Sequence, residues 1–183
     1  MCGSDILFSL VFMQLGIMSP SNVDYLVWNA RGNQASCTAQ GFMFTAGGTS
    51  GLLYTCSLNL YYLSKVKCNW TDTYLRTRIE PFLHGVPILA ALIGSLVGLI
   101  NKSYNYSDGG VCLKPTYDPP HCIGYEDGEV CEGFTIPCGR GREGEAFSYL
   151  FHLIIGFATP IIILVSLGMM YKALKDRERA NRR

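Results

Sequence analysis

Four long stretches of the chain carry no charged side chain, and this feature limits its fold more than any other. They run from Ile6 to Val23, from Gly32 to Ser64, from Pro81 to Asn101 and from Ala146 to Tyr171. A membrane core about 30 Å thick is crossed by roughly 20 helical residues, a length that the last three stretches reach and the first approaches. Charged residues make up only 16% of the 183 residues, against roughly 25% in an average soluble domain. We therefore predict an all-α, polytopic membrane helix bundle.

The predicted bundle forms a single transmembrane domain over residues 1–183. We expect four spans at about 5–19, 38–64, 81–101 and 146–171. A cysteine-rich outer loop is expected at about 102–145 and a cytoplasmic tail at 172–183. A cleaved signal peptide is the alternative for the first span. It is the weaker interpretation, because Asp5 stands where such a peptide carries positive charge.

The charges between the four stretches indicate an orientation. Residues 65–80 carry four basic and two acidic side chains, and residues 172–183 carry six basic and two acidic side chains. Residues 102–145, by contrast, carry four basic and eight acidic side chains. Lys and Arg beside membrane spans remain on the cytoplasmic side. The two basic segments are thus predicted to face the cytoplasm, and the acidic segment to face outward.

Two sequons, Asn101-Lys-Ser and Asn105-Tyr-Ser, open the predicted outer loop. Such sequons accept N-linked glycans on the outer side of a membrane. We predict glycosylation of both Asn101 and Asn105, with Asn105 preferred because it lies farther from the bilayer. A third sequon at Asn69 falls in a predicted inner loop and is interpreted as a chance match.

Eight cysteines occur in the chain, and five of them lie in segments predicted to face outward. Disulfides persist in that environment, and an odd number leaves one thiol over or paired elsewhere. No C-x-x-C pair of the kind typical of zinc sites occurs. The pattern favours a disulfide framework and no metal site, although spacing does not determine the connectivity of Cys37, Cys112, Cys122, Cys131 and Cys138.

Small and polar residues punctuate the second stretch. Pairs of glycines four residues apart allow close helix packing in lipid, and polar side chains such as Gln40 and Asn59 can bond to neighbours or line a watery cavity. This composition predicts a helix at the centre of the bundle. Asp5 is an ionisable group near membrane depth and therefore a functional candidate, or else an interfacial residue close to the chain start.

The sequence shows no positive indication of an enzyme or a cofactor site. Gly139 to Gly144 spells the letters of a dinucleotide-binding motif, but it follows a cysteine-rich loop and leads into a predicted span rather than joining a strand to a helix. The three histidines are far apart in sequence. The net charge of +1 gives no indication of nucleic-acid binding.

Three segments carry a family resemblance: GSDIL at the first span, ASCTAQGF at the start of the second, and LYTCSLNLYYLSKVK at its end. In these segments the chain resembles secretin-like (family 2) and cyclic-AMP-receptor-like G-protein-coupled receptors, as found in algae and protists. The resemblance implies that the four spans are the second to fifth of seven helices and that the chain is a fragment. It also implies a disulfide from Cys37 to Cys112, with Cys138 as the alternative because Leu113 replaces the tryptophan of the family's Cys-Trp pair. Further pairing is then expected among Cys122, Cys131 and Cys138.

The function implied by the resemblance is signalling across the plasma membrane. Membrane lipid, an unidentified extracellular ligand and a heterotrimeric G protein are the expected partners. The expected G-protein-facing residues are Lys65, Lys67, Arg76, Arg78, Lys172 and Lys175. A four-span tetraspanin-like scaffold is one alternative, although that family's Cys-Cys-Gly signature is absent from the outer loop. A transporter or channel fragment is the other.

Overall fold

A computed structural model describes residues 2–14, 17–21, 29–107, 110–118, 122–131 and 136–182. Within these ranges no strand forms, and the regular structure is helical apart from isolated bridges, which confirms the all-α class. A π-helical turn precedes α4, and a 3-10 turn precedes α5. The elements are α1 (Cys2–Met13), α2 (Gln34–Lys67), α3 (Asp72–Tyr74), the π-helical turn (Leu75–Ile79), α4 (Glu80–Ile100), the 3-10 turn (Arg142–Gly144) and α5 (Glu145–Asn181).

Two helical segments among the described residues are long and apolar enough to cross a membrane. They are Asp72–Ile100 and Arg142–Asn181, whose most apolar 18-residue windows have mean hydropathies of 2.1 and 2.4. The α2 helix has 34 residues but is too polar to qualify, and α1 has only 12, fewer than the roughly 20 that a span needs. Length and composition therefore support two of the four predicted spans. The first predicted span also includes residues 15–16, which lie outside the described residues.

The segment predicted as a cytoplasmic tail, which begins at residue 172, is helical. The α5 helix continues without interruption to Asn181, because its last turns consist largely of strong helix formers and include an ion pair between Glu178 and Arg182 one turn apart. With 37 residues it is about 56 Å long, well beyond the thickness of a bilayer core of about 30 Å.

The start of α2 is anchored by a capping box. The Asn33 side-chain oxygen accepts a hydrogen bond from the Ser36 backbone N–H at 2.9 Å, and the Ser36 hydroxyl oxygen accepts one from the Asn33 backbone N–H at 2.8 Å. The Ser36 hydroxyl also lies 2.9 Å from the Met18 carbonyl oxygen. The same cap thus begins the helix and holds the segment that follows α1 against it.

The α2 helix occupies the centre of the bundle and packs against α1, α4 and α5. Contacts along its length show the helix directions. The ring of Phe8 in α1 packs at a tilt against that of Phe44, with ring centroids 5.0 Å apart, and the Asp5 carboxylate lies beside Gly51, so α1 runs antiparallel to α2. The Arg177 guanidinium donates to the Val66 carbonyl at 2.6 Å, so α2 and α5 end on the same side and α4 runs opposite to both.

Small residues allow the helices to approach one another closely. A Cβ atom on Gly94 of α4 would lie 2.2 Å from the Phe151 ring of α5, so the ring occupies the space that the glycine leaves. On the outside, α4 and α5 expose large apolar side chains, among them Phe82, Ile93 and Phe157. Monomeric soluble proteins rarely expose continuous apolar surfaces of this kind.

We predict that Gly94→Leu destabilises the bundle by about 1–3 kcal/mol, the usual effect of overpacking, because Phe151 must leave its site between α4 and α5. Gly85→Leu in the same helix is the matched control, since no atom lies within 4 Å of a Cβ at that position. Thermal unfolding of both variants in detergent micelles measures the difference. An equal Tm for the two would contradict this packing.

Candidate functional site

A disulfide ties the loop after α4 to the first turn of α2. Cys37 and Cys112 have their sulfurs 2.03 Å apart, and both are completely buried. The structure therefore pairs Cys37 with Cys112 rather than with Cys138. A second disulfide joins Cys122 to Cys138.

Polar groups of α2 fasten the same loop by its backbone. The side-chain oxygen of Gln40, which is fully buried, accepts a hydrogen bond from the Cys112 N–H at 3.3 Å. The Gln34 amide donates to the Tyr104 carbonyl at 2.8 Å. A Cβ atom on Gly41 would lie 2.2 Å from the Cys112 carbonyl oxygen, so this close approach requires glycine. Gln40, predicted as an intramembrane polar residue, thus holds the loop rather than another helix.

Asn105 organises the interior of the loop. Its amide nitrogen donates to the carbonyls of Lys102, Pro115 and Arg140 at 2.9, 3.1 and 3.0 Å, and its oxygen accepts from the Arg140 guanidinium. Backbone bonds between Asn105 and Lys114 run in both directions at 3.1 Å. Burial lowers the pKa of the Arg140 guanidinium, a group whose ordinary value is far above neutral.

The preference for Asn105 as a glycosylation site does not fit this geometry. Asn105 is completely buried, and the nitrogen that would carry a glycan already donates to three carbonyls. A glycan there and the folded loop exclude each other. Asn101 at the end of α4 is partly exposed and stays a predicted site. A sequon in the sequence does not indicate whether its asparagine is buried.

A cleft of about 400 Å³ lies between α1, α2 and α5, near the middle of α2. The Asp5 carboxylate lies about level with Gly51, 3.9 Å from the position of a Cβ there, and no ion pair to Asp5 occurs among the described residues. His152 of α5 faces the same cleft, with its Nδ1 2.7 Å from the Ser148 carbonyl oxygen. Asp5 is thus at mid-helix depth and beside a cavity, where a ligand can reach it.

Asn59, the third predicted intramembrane polar residue, forms a hydrogen bond within its own helix. Its amide donates to the Thr55 carbonyl one turn earlier at 2.8 Å, and the side chain is half-buried. A local bond of this type satisfies a polar side chain within its own helix. The placement of Asn59 within the membrane stays a prediction.

The opposite end of the bundle gathers basic side chains. Lys65 forms an ion pair with Asp72 at 2.5 Å, and the Arg177 guanidinium links α5 to the end of α2. The Lys175 ammonium lies 5.8 Å from the centre of the Tyr171 ring. All six residues predicted to face a G protein lie at this end and are exposed: Lys65, Lys67, Arg76, Arg78, Lys172 and Lys175.

Arg177 is the residue at this end that sequence analysis did not single out. Its partners, the Val66 carbonyl and the Asn69 side-chain oxygen, lie more than 100 residues earlier in the chain.

We compared the chain with protein-family models, with curated proteins and with solved structures, and found no match. The geometry of the two ends and of the cleft therefore carries the functional argument.

We predict that Asn105→Ala destabilises the loop strongly, because three carbonyls, of which that of Pro115 is buried, and the Arg140 guanidinium lose their bond to the Asn105 side chain. Each buried polar group left unsatisfied costs about 1–3 kcal/mol. Asn59→Ala is the control, since it removes only a bond within one helix. Hydrogen exchange of the backbone N–H groups of Asn105 and Lys114 measures the effect, and unchanged protection in Asn105→Ala would refute the role of this side chain.

Proposed function

We propose that the chain is the membrane-embedded part of a receptor that couples an extracellular ligand to a heterotrimeric G protein at the plasma membrane. One observation carries the proposal. At one end of the bundle, a loop is linked to the start of α2 by a buried disulfide. At the other end, the helices present an exposed basic surface. Disulfides belong to the outer compartment and basic flanks to the cytoplasm, so the two ends fit the two sides of a membrane.

The membrane placement accounts for the contrast between the helices. The α4 and α5 helices expose apolar side chains, and only 28% and 11% of their most apolar windows are buried. The α2 helix can be polar and still cross lipid, because α1, α4 and α5 surround it. On this proposal all four helices lie in the membrane, with α2 as a span that hydropathy alone does not identify.

The cleft beside α2 is the proposed ligand site. Its lining combines the Asp5 carboxylate, the His152 ring, aromatic side chains and threonine hydroxyls, a mixture of apolar surface and a few polar groups typical of ligand pockets. The tethered outer loop lies at the end of the bundle where α2 begins. A ligand shifts the helix arrangement only if it binds one arrangement more tightly than the other.

The basic end is the proposed G-protein surface. Arg76 and Arg78 project from the π-helical turn before α4 and are exposed. Wide turns of this kind recur at functional sites. Lys172 and Lys175 extend the same surface along α5, whose continuous helix carries it past the membrane boundary.

The orientation is tested with Cys68, an exposed thiol at the end of α2. We expect a membrane-impermeant maleimide to label Cys68 only after cells are permeabilised. Cys68→Ser supplies the background, because the signal of interest is the difference between the two proteins. Glu143→Cys, at an exposed site of the outer loop, should label in intact cells. Labelling of Cys68 in intact cells would place the basic end outside and overturn the proposal.

The signalling role is tested by charge reversal on the basic surface. In vesicles that hold the chain and a G protein, we expect Arg76→Glu/Arg78→Glu to lower receptor-stimulated GTP exchange about tenfold. Reversing two charges replaces attractions of up to about 1 kcal/mol each with repulsions. Lys102→Glu, an exposed charge at the other end, should leave exchange unchanged.

The two tests separate the receptor from its alternatives. Correct labelling of Cys68 together with no GTP exchange above that of empty vesicles would reject the receptor and leave a four-span scaffold or a transporter or channel fragment. Equal exchange in the Arg76→Glu/Arg78→Glu and Lys102→Glu variants would remove the basic surface from the G-protein contact.

A further inference from the structure

Three cysteine sulfurs come together in the outer loop. The Sγ atoms of Cys122, Cys131 and Cys138 all lie within 4.8 Å of one another. The Cys131 sulfur is 3.0 Å from that of Cys138 and 3.6 Å from that of Cys122. The three atoms thus form a triangle around a common point, although Cys122 and Cys138 form a disulfide in this arrangement.

Backbone contacts hold the cluster together independently of the disulfide. The Gly128 N–H donates to the Cys138 carbonyl, and the Cys138 N–H donates to the Glu129 carbonyl, both at 2.9 Å. An ion pair between Asp127 and Arg142 at 2.5 Å joins the same two segments. Cys138 therefore stays beside the segment with Cys122 and Cys131 when the sulfur–sulfur bond is absent.

The surroundings suit a metal ion that prefers sulfur. Cys131 and Cys138 are only 4% and 2% exposed, so water is largely excluded from two of the three sulfurs. Zinc binds thiolates at about 2.3 Å in a tetrahedron, which places sulfurs about 3.8 Å apart. The distance between Cys122 and Cys131 is already close to this value. The other two distances must widen, which loss of the disulfide permits.

An open cleft beside the cluster supplies room for a fourth ligand. Cys122 and Cys138 line it together with the carboxylate of Glu126 and with Asp118 and Asp127, which both pair with Arg142. Carboxylate oxygens and water both complete zinc sites that have three protein sulfurs or nitrogens. The fourth position is therefore open to either ligand.

We propose that in the reduced chain Cys122, Cys131 and Cys138 bind one Zn²⁺ ion as thiolates. Three S–H bonds break, three S–Zn bonds form and three protons are released, with no transfer of electrons. The metal and the Cys122–Cys138 disulfide exclude each other because both need the same two sulfurs. The site escaped the sequence analysis because its ligands are spaced by eight and six residues, not as a C-x-x-C pair.

The experiment uses the full chain, synthesised in detergent with a thiol reductant and zinc sulfate, then desalted without oxygen. We expect elemental analysis to find one zinc per chain in the wild-type protein and in Cys68→Ser, a thiol outside the cluster. In Cys131→Ser the dissociation constant should rise by at least about tenfold, the minimum effect seen even for outer partners of a metal site. Circular dichroism confirms that the variants keep their helix content.

Alkylation of the wild-type protein tests the same site without any substitution. With zinc bound, N-ethylmaleimide should modify the exposed Cys68 as in the zinc-free protein, whereas Cys122, Cys131 and Cys138 should be protected together. Peptide mass spectrometry reads each position. Absence of zinc, zinc that Cys131→Ser retains with unchanged affinity, or alkylation of the three cysteines unaffected by zinc would overturn the proposal. None of these outcomes bears on G-protein coupling.

Discussion

The enclosure of α2 by the other helices is the constraint on which the rest of the structure depends. This helix is 34 residues long and carries buried polar side chains such as Gln40 and Thr49. Exposed polar groups of this kind are costly in lipid. The surrounding helices remove that cost, and glycines at the contacts let them approach. The apolar side chains that α4 and α5 do not use against α2 then face outward, which gives the bundle an exposed apolar surface.

Charge patterning was sufficient to predict the three long helices, because long charge-free stretches bounded by charges leave few other structures. Helix ends were less predictable. The last turns of α5 are strongly charged and resemble a tail in sequence, yet their helix propensity continues the preceding helix to Asn181. The π-helical turn before α4 likewise has no periodicity that distinguishes it from an ordinary helix.

Contacts between distant residues explain most of what the sequence did not reveal. The partners of Asn105 include Arg140, 35 residues away, and the partners of Arg177 lie in an earlier helix. The pairing of Cys37 with Cys112 followed from a family resemblance and not from spacing. The triangle of Cys122, Cys131 and Cys138 depends on backbone bonds around Gly128. Side-chain type indicated which residues needed partners, and only the folded loop shows which partners they have.

The burial of Asn105 links modification to the order of folding. Sugar transfer acts on a chain segment that is still extended, whereas the folded loop encloses the acceptor nitrogen among three carbonyls. If the loop lies on the outer side of a membrane, the modifying enzyme can therefore reach the sequon only before the loop folds. A sugar chain at this position would mark molecules that were modified before they folded and that can no longer complete the loop. An asparagine that resembles an ordinary attachment point thus records whether folding or modification came first.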